Sequence, residues 1–235
     1  MMALMLSVII PTLNAGKTLP ATLSALVPAA VKGVVREVIV VDGGSSDETA
    51  EIAEAAGAKL LRTPRGRGNQ LAAGAKAARG AWLLFLHADT VLQEGWEREV
   101  EKLLEQIADG CFRERELAAA FRFALDDFSR AARLLERLVA LRCLVFGLPY
   151  GDQGLIVNRR LYERIGGFRP LPLMEDVDLV RRIGRRRLVM LRSTAITDPV
   201  RYLHDGFAAR MARNALCLTL YYLRVPPRMI ARIYR

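Results

Sequence analysis

Four short extended stretches, at residues 6–10, 37–41, 59–62 and 82–86, alternate with helical ones, and this alternation limits the architecture more than any composition value does. Three of the four are dominated by Val, Ile, Leu and aromatic residues. Strands that are apolar on both sides must be covered on both faces, and strands alternating with helices specify a parallel sheet. Between them, 18–31 has helical spacing with Pro20 tolerated in its first turn, 48–56 reads as a helix capped by Asp47, and 69–78 as a third.

Ligands of such sheets bind outside the carboxyl ends of the strands, so the residues that follow each strand should share one crevice. Here they are polar: Thr12 and Asn14 after the first, Asp42-Gly43-Gly44-Ser45-Ser46-Asp47 after the second, His87-Ala88-Asp89-Thr90 after the fourth. The glycine-rich loop Pro64-Arg65-Gly66-Arg67-Gly68-Asn69-Gln70 adds two arginines that could reach a diphosphate. Carboxylates and arginines in one crevice point to a metal and phosphates together. Gly16-Lys17-Thr18 is not the end of a P-loop, because Pro11 stands where that motif needs glycine, and no GxGxxG follows the first strand.

A chain of 235 residues, 52% hydrophobic and 26% charged, can bury a large core, which excludes a disordered or collagen-like chain. The net charge of +10 asks for an anionic partner. Cys111, Cys143 and Cys217 are odd in number and scattered, which excludes a disulfide framework or a cysteine zinc site and fits a reducing, cytoplasmic setting. The apolar start lacks a basic leader and a cleavage site and reads as a first strand; no stretch of about 20 apolar residues could span a bilayer, so membrane contact would be peripheral.

Taken in order, Ser7-Val8-Ile9-Ile10-Pro11-Thr12-Leu13-Asn14, Val40-Val41-Asp42-Gly43-Gly44-Ser45-Ser46-Asp47-Glu48-Thr49 and Leu84-Phe85-Leu86-His87-Ala88-Asp89-Thr90 resemble the nucleotide-sugar half of family 2 glycosyltransferases. Gly151-Asp152-Gln153-Gly154, Gly166-Gly167-Phe168 and Glu175-Asp176-Val177-Asp178-Leu179 resemble the acceptor half. With its Leu148-Pro149-Tyr150 lead-in, the chain looks closest to the selenodomain-associated transferase 2 subgroup. The resemblance implies an α/β GT-A fold: a mostly parallel nucleotide-binding sheet with helices on both faces, followed by C-terminal amphipathic helices. It implies one domain over 1–235, with a nucleotide-sugar half (1–92), an acceptor half (93–205) and a basic tail (206–235).

The nucleotide-sugar site so implied comprises Pro11, Thr12, Asn14, Asp42, Gly44, Asp47, Arg67, Gly68, Gln70, His87 and Asp89, with Asp89 holding a divalent cation, Mn²⁺ or Mg²⁺. Asp176 matches the general base. His87 departs from the pattern, standing where the metal motif has its first aspartate.

Sugar transfer from a nucleoside diphosphate must neutralise the departing diphosphate and remove the acceptor's proton. For the first, Asp89 is the candidate ligand, against an ordinary capping aspartate. His204 is a second candidate, since imidazole suits Mn²⁺, against a surface histidine near a helix start. For the second, Pro170-Leu171-Pro172 forces Glu175 and Asp176 to open a helix, and neighbours about 100° apart can aim only one carboxylate at the reacting carbon. The competing reading is acid complementing a helix dipole. Asp152 and Gln153 are expected to orient acceptor hydroxyls, against a simple turn.

From Gly206 onward there are arginines at 210, 213, 224, 228, 232 and 235 and no acid, interleaved with leucines and tyrosines. This reads as a basic amphipathic helix on an anionic membrane, or as a terminal helix packed on the core. A second helical stretch, 128–146, is an acceptor-side lid or core. The expected function is an inverting glycosyltransferase of hexosyltransferase type acting on an unknown acceptor. The alternatives are an inactive nucleotide- and membrane-binding module, or a sugar nucleotidyltransferase. Nucleic acid is excluded as a partner by few aromatics and no finger motif.

Overall fold

A computed structural model describes residues 5–112 and 116–234. Among them, eight strands form one sheet in the order β3-β2-β1-β4-β7-β6-β8-β5. The first half is parallel: β1 (Leu6–Thr12) lies between β2 (Val35–Asp42) and β4 (Trp82–Phe85), and β3 (Lys59–Arg62) flanks β2. Beyond β4 the sheet is mixed. β7 (Leu155–Asn158) is antiparallel to β4 and to β6 (Ala118–Leu125), β8 (Leu188–Thr197) runs parallel to β6, and β5 (Thr90–Leu92) pairs antiparallel with β8. The expected parallel nucleotide-binding sheet is thus present, and the second half adds one parallel pair, β6 with β8, and three antiparallel ones.

Period-two alternation sends Leu6, Val8 and Ile10 of β1 to one core and Ile9 to the other, so both faces are covered. The first core is centred on Trp96, 1% exposed, which packs edge-on to Phe121 and donates its indole N–H to the Ala25 carbonyl at 3.1 Å. On the other face α4 (Arg67–Ala77) lies so close that a Cβ on Gly74 would come within 2.4 Å of the Ile9 side chain. Pro11 fits inside β1 because pairing with β4 stops at Ile9, leaving no ladder partner on that side for a missing N–H.

The expected helix over 18–31 is two: α1 (Leu19–Ser24) and α2 (Val27–Val31). Pro28 has no N–H to offer the Ser24 carbonyl, so the first helix ends there and the second begins with the proline in its first turn. The arginine loop is shorter than expected, since Arg67 already opens α4. α3 (Thr49–Ala55) starts two residues after Asp47, which nevertheless accepts the Thr49 N–H at 3.2 Å.

In the second half α5 (Trp96–Ala108) covers the first core, α6 (Arg130–Phe146) is capped by the Ser129 hydroxyl accepting the Ala132 N–H at 3.2 Å, and α7 (Arg159–Arg164) follows β7. α8 (Glu175–Ile183) begins after the proline loop as expected. The tail folds back as α9 (Val200–Asp205), α10 (Phe207–Tyr222) and α11 (Pro227–Tyr234), broken between the last two by Pro226 and Pro227. Phe207, Met211 and Tyr202 pack on the inner face of α6. No helix among the described residues is long and apolar enough to cross a membrane.

Candidate active site

The loops after β1 and β2 are laced together. The Asn14 backbone, left-handed at φ 51°, donates its N–H to Ser45 Oγ at 2.8 Å, while its side-chain oxygen accepts the Ser46 N–H at 2.9 Å. Asp42, 3% exposed, accepts the Gly44 N–H at 3.1 Å, the Ser45 N–H at 3.0 Å and the Ser45 hydroxyl, and Thr12 donates to it at 3.4 Å. Asp47 accepts the Thr49 hydroxyl at 2.5 Å and the Gly16 N–H at 2.9 Å, and these bonds hold its carboxyl below the ordinary range. Gly44, at φ +94°, takes a conformation that suits glycine.

Two residues expected at the donor also hold the protein frame together. The Gln70 amide, 5% exposed, donates to the Thr12 and Val41 carbonyls at 2.8 Å each, clamping the ends of β1 and β2. Gly68 is where α4 meets the 167–172 loop: a Cβ would sit 2.5 Å from the Arg169 carbonyl.

Beside this frame an open cavity lies at the carboxyl end of β4, on the side where the strand order reverses. His87 and Asp89 enter it from β4, Arg67 from the start of α4, Asp152 from the turn before β7, Glu175 and Asp176 from the start of α8, and Thr197 and Asp198 from the end of β8. Tyr202, Arg210, Asn214 and Tyr234 of the C-terminal helices close the far wall, so the tail is part of the site. The three-part division of the chain separates residues that share one cavity.

Met174 precedes α8 with a left-handed backbone, φ 65°, a strained conformation for a non-glycine residue that turns the two following carboxylates into the cavity. Glu175, 3% exposed, lies 3.6 Å from the Arg67 guanidinium. Burial raises its pKa, Arg67 opposes the rise and the Asp176 charge adds to it. Asp178, two residues on, is structural: Arg182 donates to it at 2.6 and 2.9 Å and also to the Ile165 and Gly167 carbonyls, fixing α8 to the glycine turn.

The Asp152 carboxyl has one buried oxygen with no protein partner, and burial, opposed by Arg142 and reinforced by Asp176 and Asp89, pushes its pKa up to about 6. Gln153, expected to touch the acceptor, is 1% exposed and fully engaged: it donates to the Phe121 carbonyl at 2.9 Å and accepts from Arg142 at 3.1 Å and the Tyr150 N–H at 3.2 Å. It positions Asp152 and Tyr150 from behind, and Arg142, 3.5 Å over the Tyr150 ring, completes that support.

His204 lies outside the cavity. Its side chain is 86% exposed and bonds Asp205 at 2.9 Å. Its place in the last turn of α9 points it to solvent while Arg210 and Arg213 turn inward to the same Asp205. These two arginines were expected on a membrane face; Arg210 instead reaches the cavity and donates to the Tyr234 hydroxyl at 3.1 Å. Asp198 was not anticipated, though the strand-end rule applied to β8 reaches it; its N–H donates to the Asp89 carbonyl at 3.1 Å.

No three His, Cys, Asp or Glu side chains converge as a metal cluster among the described residues. A hard cation on a diphosphate does not need one, since one or two carboxylates plus phosphate oxygens and water complete its shell. Asp89 and the unpartnered Asp152 oxygen supply oxygen donors of that kind at the cavity, so the residues fit.

Residues 7–160 match the family model for glycosyl transferase family 2. A PGL/p-HBAD biosynthesis glycosyltransferase of Mycobacterium tuberculosis is 41% identical over 101 residues, covering 40% of this chain and 39% of its own. The chain thus spans about two fifths of the length of the curated relatives it resembles. Glucosyl-3-phosphoglycerate synthase of M. tuberculosis, solved with Mn²⁺, UDP-glucose and phosphoglyceric acid, superposes with a TM-score of 0.61 at 22% identity, over 94% of this chain and 80% of that one. S. aureus TarS superposes with a TM-score of 0.62 at 16% identity, over 92% of this chain and 39% of its own. These two similarities show the fold.

Proposed function

The chain belongs to glycosyl transferase family 2, and from that premise we propose that it moves a hexose from a nucleoside-diphosphate donor to an acceptor hydroxyl with inversion at the anomeric carbon. The observation that carries this reading is the convergence of Asp89, Asp152, Asp176 and Arg67 on one cavity at the carboxyl end of β4. In an inverting transfer the acceptor oxygen attacks the anomeric carbon as the bond to the diphosphate breaks; the acceptor proton passes to a base and the electron pair leaves on phosphate. Such a step needs a base on one side and positive charge on the other, and no covalent nucleophile.

Asp176 serves as the base and Asp152 orients the acceptor, supported by their shared place in the cavity. The nucleotide lies along the Thr12, Asn14, Gly44 and Asp47 loops, and Arg67 faces the diphosphate. A divalent cation held by Asp89 would offset the charge of the leaving group. The Mn²⁺ and UDP-glucose bound by the solved mycobacterial synthase make UDP the first nucleotide to test, and its phosphoglyceric acid makes a small anionic acceptor the first to try. Membership of the selenodomain-associated subgroup is supported by the Leu148-Pro149-Tyr150-Gly151-Asp152-Gln153 motif.

Calorimetry with UDP and GDP, with and without Mn²⁺, tests the donor side. The parent should bind one of them more tightly with Mn²⁺, and Asp89→Ala should lose that enhancement. Unchanged enhancement in Asp89→Ala removes Asp89 from the role, and a product of retained anomeric configuration overturns the inversion.

A further inference from the structure

α6 carries two apolar stripes. Ala132, Leu135, Val139 and Cys143 face inward. Leu134, Leu138, Leu141 and Val145 recur at three- and four-residue spacing on the outside and are 55%, 43%, 54% and 47% exposed. Leu144 flanks this stripe, and Phe146 at the helix end and Phe128 just before its start, at 92%, are exposed as well. A contiguous apolar face of this kind on a folded chain marks a contact surface.

The flanking charges choose the occupant. Arg130, Arg133 and Arg137 are exposed on the helix, whereas its one acid, Glu136, is mostly covered and accepts from Arg133 at 2.6 Å and from the Leu125 N–H at 3.0 Å. Asp126 is the exposed acid nearby, four residues before the helix begins. The outer stripe has the spacing of a coiled-coil seam, but two copies paired through it would set Arg137 against arginine, with no free carboxylate on the helix to answer it. An anionic surface answers both features at once: apolar side chains enter the boundary between headgroups and acyl chains while the arginines meet phosphate.

We infer that the outer face of α6 is a docking surface for an anionic phospholipid bilayer. The C-terminal helices, of which α10 packs against α6, carry the same chemistry: Leu216, Leu223, Met229 and Ile233 are exposed, Arg224, Arg228 and Arg232 are exposed as well, and no acid occurs from 206 to 234. This moves the membrane contact expected of Arg210 and Arg213, which are committed to Asp205, onto an element that sequence alone left between lid and core. The surface would hold the enzyme beside lipid-borne molecules while its cavity stays in water.

Co-sedimentation of the full chain with vesicles of phosphatidylcholine alone, and of an equimolar mixture with phosphatidylglycerol, tests it. The parent should sediment with the mixed vesicles and not with the neutral ones, with binding weakened by salt. Arg137→Glu should weaken binding more than about fivefold, the loss of one arginine near the surface. Leu138→Glu/Leu141→Glu should abolish it, with helical content and UDP affinity unchanged. Three results would overturn the inference: no sedimentation of the parent with mixed vesicles, binding that survives in the leucine double variant but is lost in Arg224→Glu/Arg228→Glu, or a parent dimer in light scattering that the leucine substitutions dissociate.

Discussion

Glu175 and Asp176 are adjacent in the chain and differ in what surrounds them. Glu175 is closed in beside Arg67, whereas Asp176 is half-buried at the cavity. Asp176→Asn preserves size and much of the hydrogen bonding but cannot take a proton, so transfer should fall about 10²-fold or more while nucleotide affinity survives. Glu175→Gln, which removes the carboxylate paired with Arg67 and leaves Asp176 and Asp89 to oppose its charge, should act mainly on donor affinity. Pairing nucleotide calorimetry with turnover, or donor hydrolysis, separates the two; near-parental turnover in Asp176→Asn shifts the base to Asp152. The raised pKa of Asp152, about 6 against an ordinary 3.8, also has a consequence for folding. Between those values the folded chain holds a proton that the unfolded chain has released, so this group makes stability fall as pH rises through that window, by up to about 3 kcal/mol. Asp152→Asn should flatten the fall, so in chelator its urea midpoint should exceed the parent's at about pH 8 and match it more closely at about pH 4. A parent and variant with parallel pH profiles would refute the assignment.

The contact of α4 with β1 and β2 depends on a missing side chain. A Cβ on Gly74 would lie 2.4 Å from Ile9 and 2.9 Å from Val41, and both neighbours are fully buried. Gly74→Ala should therefore cost about 1–3 kcal/mol by overpacking, against the small gain that alanine brings to a free helix. Urea denaturation measures it directly, and an unchanged or raised midpoint would mean that the helix can lift without cost. Because Arg67 and Gln70 ride on the same helix, a lifted helix should also weaken nucleotide binding. α1 and α2 show the opposite influence: one proline at 28 divides a stretch whose apolar spacing alone favours a single helix.

The cavity joins both halves of the chain: Arg67, His87 and Asp89 come from before residue 93, and Asp152, Asp176, Asp198, Arg210 and Tyr234 from after it. A ligand that fills it should stabilise the molecule as a unit. At about 100 times its dissociation constant a nucleotide adds about 2.7 kcal/mol, which for a chain of this size raises Tm by roughly 5–10 °C. A thermal-shift series of UDP, GDP and their sugars with Mn²⁺ should single out one nucleotide, and a flat series would count against the donor reading. The net charge of +10 is unevenly answered: Asp205 pairs with both Arg210 and Arg213, while Arg130 and Arg137 of α6 and Arg228 and Arg232 of α11 are exposed.

Local chemistry alone determined the strand–helix order of the first half, the polar clusters at the strand ends, Asp89 among them, and the helix start at Glu175, because each follows from periodicity, turn residues or proline within a few positions, whereas Asp152 and Asp176 stood out only through the family resemblance. Tertiary structure decided what depends on partners distant in sequence. β7 enters antiparallel because its register with β4 and β6 is a long-range pairing. Gln70 and Gly68 serve packing because α4 lands on two strand ends and on a loop a hundred residues later. Gln153 is used up by Phe121, Arg142 and Tyr150. His204 turns outward, and Arg210 inward, because Asp205 takes both arginines as the tail folds back over the cavity. A residue's type states which bonds it can make; the fold sets which of them protein has already taken and which are left to a ligand.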